Sequence, residues 1–159
     1  MIDNFPLHLL INERPRLSTK SFQDNDKLYH SYKKEDLGDD GRIKQETIRF
    51  PDFSCNWSQF SEPKDVLYRN DSSKTDGCYS FTVIVSRFNN IATPVHDPID
   101  EGEYQNYAHV EIRLLKRGED IFSEPPKKRK IKAEFYKSLR REYRFNICWS
   151  YMVEFEPTE

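Results

Sequence analysis

The sequence lacks the features of a secreted or membrane-spanning protein. Its three cysteines, Cys55, Cys78 and Cys148, are odd in number and far apart, so they do not form the disulfide framework of a small secreted domain. The apolar run within residues 1–16 is too short to cross a bilayer, and an acid and a proline stand where a leader would carry basic residues. We therefore expect a cytoplasmic protein with no membrane partner.

The chain also has little that could mark a domain boundary. There is no internal repeat, no Gly/Ser-rich linker and no low-complexity tail, and 159 residues fit one ordinary domain. Its 36% hydrophobic and 14% aromatic content exceeds that of disordered chains, while 33% charged residues indicate a very polar surface. We predict a single folded domain over residues 1–159, with a core that depends on Phe, Tyr and Trp side chains.

Several catalytic motifs are absent as well. The sequence contains no P-loop, no G-x-S-x-G and no H-E-x-x-H, which removes the parts needed for nucleotide hydrolysis, serine esterase and zincin chemistry. His109-Val-Glu111 matches the start of a zinc deaminase signature, but the required Pro-Cys-x-x-Cys does not follow. Too few metal-ligating side chains are grouped in sequence for a zinc site, so we expect neither a metal nor a cofactor.

Three segments alternate apolar and polar residues over about ten positions, which predicts β-strands at 79–88, 107–116 and 145–156. The last segment, "FNICWSYMVEFE", shows this period most clearly. The residues that these patterns and the neighbouring helix assign to the core are Phe81, Val83, Val110, Ile112, Leu139, Ile147 and Trp149.

Helical periodicity precedes the last predicted strand. Ile131, Phe135, Leu139 and Tyr143 recur every four residues among basic side chains, which predicts an amphipathic basic helix. Residues 61–69 predict a short helix with Pro63 in its first turn, and residues 28–37 are interpreted as another helix. Strands that pair antiparallel with helices on one side indicate an α+β fold, with a mostly antiparallel sheet, a C-terminal basic helix and a final strand.

A polar stripe lies on the second of these predicted strands. Because side chains alternate along a strand, His109, Glu111 and Arg113 share one face, and we expect His96 to arrive from the preceding loop. The histidine could act as a general base, Glu111 as an orienting or metal-binding acid and Arg113 as a phosphate clamp. The same stripe is also typical of a solvated strand face with weak cross-strand ion pairs.

A basic cluster occupies residues 127–144. Nine Lys or Arg and two Glu give it a charge of +7, which leaves −9 for the rest of the chain because the net charge is −2. It could bind nucleic acid or an acidic protein partner, or complement the acidic remainder of the chain. "PPKKRK", residues 125–130 at its start, resembles a nuclear import signal, and a solvated loop is the alternative interpretation. The candidate nucleic-acid-binding residues are Lys127, Lys128, Arg129, Lys130, Lys137, Arg140, Arg141 and Arg144.

The segments "RFPDFSCNWSQFSEPKDVL", "VHDP" and "NYAHVEI" resemble a group of small bacterial proteins of unassigned function. The shared pattern, N-x-S-x-x-S-x-P-x-D-V-L, then H-x-P, then N-Y-x-H, is spread over residues 49–112, and Trp57 stands where a basic residue is expected. The resemblance implies a bacterial cytoplasmic origin in mobile or defence-related gene neighbourhoods. It implies no activity, but it groups His96, Asn106, Tyr107 and His109.

Two classes of function therefore remain. The first is a small cytoplasmic binding or interaction module, with the basic helix and the polar strand face as its surfaces. The alternative is a small hydrolase or a nuclease of the toxin type, in which His109 accepts a proton, His96 donates one, Arg113 holds a phosphate and Glu111 orients a histidine. Convergence of the histidines in a pocket favours the enzyme, and a flat ion-paired face favours the module.

Overall fold

The computed structural model describes residues 5–68, 75–114 and 133–158, without the side chains of Asn89 and residues 133–136. It confirms the α+β fold, since antiparallel strands form a six-stranded sheet and a separate two-stranded hairpin beside two α-helices. The strands are β1 (Lys27–Tyr32), β2 (Phe53–Trp57), β3 (Gly77–Thr82), β4 (Thr93–His96), β5 (Ile99–Glu101), β6 (Tyr104–Asn106), β7 (His109–Arg113) and β8 (Met152–Phe155), and the helices are α1 (Val83–Ser86) and α2 (Ala133–Ser150).

The register of the large sheet separates an apolar face from a polar one. Its strand order is β4-β7-β2-β1-β3-β8, and Leu28 of β1 lies opposite Trp57 and Phe81 on its two neighbours. Opposite residues on adjacent strands point to the same side, and this apolar side is called the helix face. The other side, called the polar face, carries mostly polar residues, among them Ser54, Asn56, Ser80, His109, Glu111 and Arg113.

Helix α2 packs on the helix face through one row of side chains. Leu139, Tyr143 and Ile147 recur every four residues and are all buried in the main core cluster. Aromatic rings fill much of this core: Tyr143 lies 4.4 Å from Phe50 between ring centroids, and a similar contact joins Phe22 to Trp57. The row therefore holds α2 against the sheet and leaves the opposite side of the helix in solvent.

The predicted strand at 145–156 is wrong in its first half. Helix α2 continues through Phe145 to Ser150, and the final strand begins only at Met152. The four-residue repeat of the helix extends to Ile147, so helical packing overrides the alternation in the sequence. Trp149, predicted to be buried, is 57% exposed. The other residues predicted to be in the core are buried, namely Phe81, Val83, Val110, Ile112, Leu139 and Ile147.

The predicted helix at 28–37 is instead strand β1 up to Tyr32, followed by a 3-10 helix over Lys34–Asp36. Both faces of β1 are buried, because Leu28 and Tyr32 face α2 while Tyr29 packs in a second cluster on the opposite side. A strand buried on both faces lacks the alternation that identifies strands in a sequence.

The remaining predicted elements are shorter than expected. Strand β3 ends at Thr82, because Thr82 pairs with Lys27, the first residue of its partner β1. Helix α1 follows where the sequence predicts that the strand at 79–88 continues. Strand β7 ends at Arg113 within the predicted segment 107–116, whose last two residues lie outside the described part of the chain. The predicted helix at 61–69 is a 3-10 helix over Pro63–Leu67.

Ile147 is buried and Trp149 is exposed, so truncating the two side chains should have very different effects on the free energy of unfolding. Ile147 is fully buried, so Ile147→Ala should lower the free energy of unfolding by about 2–5 kcal/mol through the cavity it leaves. Trp149→Ala should lower it by only about 0.5–1 kcal/mol, since the indole is more than half exposed and loses mainly its stacking with Arg42. Urea unfolding of both variants measures this, and a large loss for Trp149→Ala would contradict the helical position of residue 149.

Tyr143 offers a second stability test. Its ring is fully buried, and its hydroxyl has no hydrogen-bond partner among the described residues. Since an unsatisfied buried hydroxyl costs about 1–3 kcal/mol, Tyr143→Phe should leave the free energy of unfolding unchanged or raise it. Tyr107→Phe is the matched control, because the Tyr107 hydroxyl donates to the Pro15 carbonyl at 2.6 Å and its removal should destabilise the fold. Equal losses for the two variants in urea unfolding would contradict this prediction.

Candidate functional site

His96 is a buried structural histidine, and it lies at the end of strand β4 and not in a loop as predicted. Its side chain is inaccessible to solvent, Nε2 donates to the Tyr107 carbonyl at 2.6 Å, and Nδ1 accepts the Leu17 N–H at 2.9 Å. These partners fix the neutral tautomer, since a carbonyl only accepts and an amide N–H only donates. Burial also lowers the pKa of His96 below its ordinary value of 6.5, against the opposing effect of the Tyr107 hydrogen bond. Proton transfer by His96 would require one of these bonds to break.

His109 lies on the other side of the sheet from His96. His96 pairs with Val110 across β4 and β7, so those two side chains share the helix face. His109 directly precedes Val110 and therefore points to the polar face, where its Nδ1 donates to the Asp97 carbonyl at 2.7 Å. The two histidines diverge and do not form a common site.

Arg113 is surrounded by carboxylates. Its guanidinium contacts Glu111 beside it on β7, lies 3.2 Å from an oxygen of Asp52 and reaches Asp97 at 4.0 Å. Arg16 binds Asp97 from the N-terminal segment at 2.7 Å. The structure thus brings Glu111 and Arg113 together on the predicted stripe, but as an ion-pair network. A guanidinium neutralised in this way is poorly placed to hold a phosphate.

Polar residues of the bacterial pattern form a hydrogen-bond network inside the protein. The Asn106 side-chain amide donates to Asn56 Oδ1 at 2.7 Å, and the Asn56 amide donates to Ser61 Oγ at 3.2 Å. Ser61 Oγ also contacts Asp65 Oδ2 at 3.3 Å, and Nε2 of the half-exposed His8 lies 2.6 Å from that oxygen. Asn56, Ser61, Asp65 and Asn106 are buried. The network joins β2, β6 and the N-terminal segment, which is a structural role.

The contact of Ser61, Asp65 and His8 was not indicated by the sequence, because His8 is separated from Asp65 by 57 residues. These are the residue types of a nucleophilic triad, but their order is different. Asp65 lies between the hydroxyl and the imidazole, whereas a triad places the histidine between serine and aspartate so that it can take the serine proton. The arrangement therefore fixes His8 without activating Ser61.

The described half of the basic cluster lies on α2. Lys137 and Arg141 are exposed and one helical turn apart, on the side opposite the buried row. Arg140 and Arg144 are partly buried, and Arg144 Nε donates to the Ile48 carbonyl at 2.6 Å. The structure thus brings Lys137 and Arg141 to one surface and uses Arg144 to anchor the helix. The other candidates, Lys127, Lys128, Arg129 and Lys130, lie outside the described residues.

Two aromatic side chains extend this basic surface. Phe145 is 51% exposed and Trp149 is 57% exposed, with 5.7 Å between their ring centroids. The Arg42 guanidinium lies over the Trp149 ring, 3.7 Å from its centroid. The alternation in the sequence predicts a strand at these positions and therefore does not indicate that the two rings are exposed on a helix. The signal that could have found them is the four-residue repeat, which places 145 and 149 away from Tyr143 and Ile147.

A shallow groove runs beside these residues on α2. Two adjoining depressions, of about 520 Å³ and 440 Å³, share Phe88 and Asn146 in their walls. The first contains Arg141 and the second contains Trp149. We call this surface the α2 groove and define it by Ile84, Phe88, Arg141, Phe145, Asn146 and Trp149.

Metal and membrane features are absent from the described ranges. Within residues 5–68, 75–114 and 133–158, no three His, Cys, Asp or Glu side chains are grouped as metal ligands. No helix in these ranges is long and apolar enough to span a bilayer.

The buried state of His96 predicts a pH-dependent stability. The unfolded chain takes up a proton near pH 6.5, whereas the folded chain resists it because the pKa of His96 is lowered. This stabilisation is therefore complete above about pH 6.5 and falls as the pH drops through the folded-state pKa, by at most about 1.4 kcal/mol per pH unit. His96→Gln, which keeps a donor and an acceptor but does not titrate, should lose less stability between pH 7.5 and 5. Parallel pH dependences of the two proteins in urea unfolding would contradict the neutral buried state.

Comparisons with other proteins identify no relatives. No protein-family model matches the sequence, and neither a curated protein nor a solved structure matches it. Function is therefore inferred from the geometry of the chain's own residues.

Proposed function

We propose that this protein is a cytoplasmic binding module that uses the outer surface of α2 to bind nucleic acid through its phosphates. The observation that carries the proposal is the position of Lys137 and Arg141, which are exposed one turn apart on the solvent side of α2. Neither side chain takes part in an ion pair with a described residue. Nothing in the described part of the chain neutralises these two charges, which leaves them to phosphate groups in this proposal.

The charge distribution supports a polyanionic ligand at this surface. The basic cluster carries +7 over residues 127–144, while the rest of the chain carries −9. The acidic remainder repels a polyanion, so binding is confined to the basic surface. Contacts to phosphates alone are independent of base sequence and weaken strongly as the salt concentration rises.

The divergence of His96 and His109 favours the module over the alternative hydrolase or nuclease. That alternative needs two histidines and a phosphate-binding arginine around one cavity. His96 is buried with both nitrogens hydrogen-bonded, His109 lies on the opposite face, and Arg113 is paired with carboxylates. An acidic protein is the competing partner for α2, and binding assays distinguish it from nucleic acid.

The cytoplasmic setting is supported by the cysteines. Cys55, Cys78 and Cys148 are all free and buried, as in a protein kept in a reducing compartment. Burial raises the pKa of the Cys78 thiol to about 12, which keeps it protonated and unreactive. The resemblance to small bacterial proteins extends the proposal to a bacterial defence or mobile-element system, for which neighbouring genes are the most direct observation.

Charge reversal on α2 tests the proposed interface. The double variant Lys137→Glu/Arg141→Glu should lose at least about tenfold in affinity for a mixed-sequence oligonucleotide at low salt, because two phosphate contacts become repulsive. The wild-type affinity should fall steeply with salt, and the variant should show a smaller slope. Fluorescence anisotropy of a labelled oligonucleotide at several salt concentrations measures both quantities.

The matched control reverses two exposed lysines away from α2. Lys20→Glu/Lys64→Glu changes the net charge by the same −4 and should bind nearly as well as the wild type. Equal losses in the two double variants would show that only net charge matters and would overturn the α2 interface. No binding by the wild-type protein at low salt would overturn the proposed function itself.

A further inference from the structure

The solvent side of α2 combines cations and aromatic rings in one line. Lys137, Arg141, Phe145 and Trp149 follow one another at intervals of four residues, so each lies about 6 Å further along the helix axis. Both rings are at least half exposed, although such large apolar side chains are usually buried. The line has charge at one end and flat apolar surface at the other.

Arg42 connects the aromatic end to further positive charge. It comes from the segment between β1 and β2, and its guanidinium stacks on the Trp149 indole at 3.7 Å. This contact holds the indole at the surface and adds a cation where the line of basic residues on α2 has ended. Each exposed ring therefore has a cation nearby, since Arg141 lies one turn from Phe145.

The α2 groove adds polar recognition next to the rings. Asn146 lies in the walls of both depressions and is exposed, so its amide offers a donor and an acceptor to a ligand in either one. Glu142 lines the first depression beside Arg141 and is the opposing charge there. The groove thus presents apolar surface, a hydrogen-bonding amide and the Arg141 cation over a short length of helix.

We infer that the α2 groove binds single-stranded nucleic acid, with unpaired bases stacked on Phe145 and Trp149 and the phosphates held by Lys137, Arg141 and Arg42. This inference rests on the proposed function and makes it specific. Exposed aromatic rings beside cations are what single-strand binding requires, because every unpaired base offers a face for stacking. In a duplex those faces are hidden within the base stack, and two bulky rings would hinder the approach of the duplex phosphates to the helix.

Charge decides between nucleic acid and a protein as the occupant. An apolar peptide could cover Phe145 and Trp149, but it would supply no negative charge to Lys137, Arg141 and Arg42 unless it were strongly acidic. A single strand supplies one negative charge and one stackable base per nucleotide, which matches the combination on α2. An acidic peptide is therefore the competitor to include in the experiment.

Trp149 fluorescence provides a direct readout. The other tryptophan, Trp57, is buried and donates its indole N–H to Asp26 at 2.9 Å, so it contributes a constant background. We expect a twelve-nucleotide oligo-dT to quench the emission of the wild-type protein and to bind at least about fivefold more tightly than a twelve-base-pair duplex at low salt. Heparin, which has no bases, should bind without quenching.

Two variants at one position separate stacking from charge. Trp149→Phe keeps an aromatic surface and should bind oligo-dT about as well as the wild type, without the fluorescence change. Trp149→Ala removes the surface and should bind oligo-dT at least about fivefold more weakly, while its affinity for heparin stays the same. Both substitutions are at an exposed position, and urea unfolding of each variant verifies that the fold is intact.

The outcomes distinguish this inference from the proposed function. Equal affinities for oligo-dT and duplex, with unchanged emission and no effect of Trp149→Ala, would overturn base stacking and leave phosphate binding by α2 in place. No binding of oligo-dT, duplex or heparin would overturn both. Quenching by a glutamate-rich amphipathic peptide, with none by oligo-dT, would overturn both in favour of an acidic protein partner.

Discussion

The packing of α2 on the helix face is the constraint on which the rest of the structure depends. Leu139, Tyr143 and Ile147 form one buried row, and once that row is fixed the orientation of every other residue of the helix follows from its period. Phe145 and Trp149 are then turned to solvent beside Lys137 and Arg141. The same packing buries the apolar residues of β1, β2, β3 and β7 on the helix face, whereas His96 of β4 is covered by Phe60, Tyr107 and the N-terminal segment.

Hydrogen-bond satisfaction explains why chemically capable residues in this chain are structural. A buried polar group must find partners, and His96, Asn56 and Asn106 each find them in neighbouring strands and segments. Arg113 is held in the same way by the carboxylates around it. Among the described residues of α2, Lys137 and Arg141 point to solvent instead and form no such contacts. The side of α2 that packs on the sheet therefore stabilises the fold, and its solvent side is left for binding.

Local patterns were sufficient for the fold class, for β7 and for most of the core. Val110 and Ile112 alternate with polar residues as a strand buried on one side requires, and the four-residue repeat identified the helix. The candidate site was predicted less well. His109, Glu111 and Arg113 do share a face, as their spacing demands, but the relation of His96 to them depends on the pairing of β4 with β7. Pairing joins residues distant in sequence, so no local pattern contains it.

The C-terminal end of α2 shows what the local sequence determines and what requires the tertiary structure. The residues 145–150 alternate like a strand and also continue the helical repeat, and both periods are compatible with the same side chains. Local sequence determines that this segment is amphipathic. Only the tertiary structure selects the helix, because burying Ile147 against the sheet continues the row begun by Leu139 and Tyr143. That choice moves Trp149 from the expected core to the surface, since a helix and a strand turn the same residue in different directions.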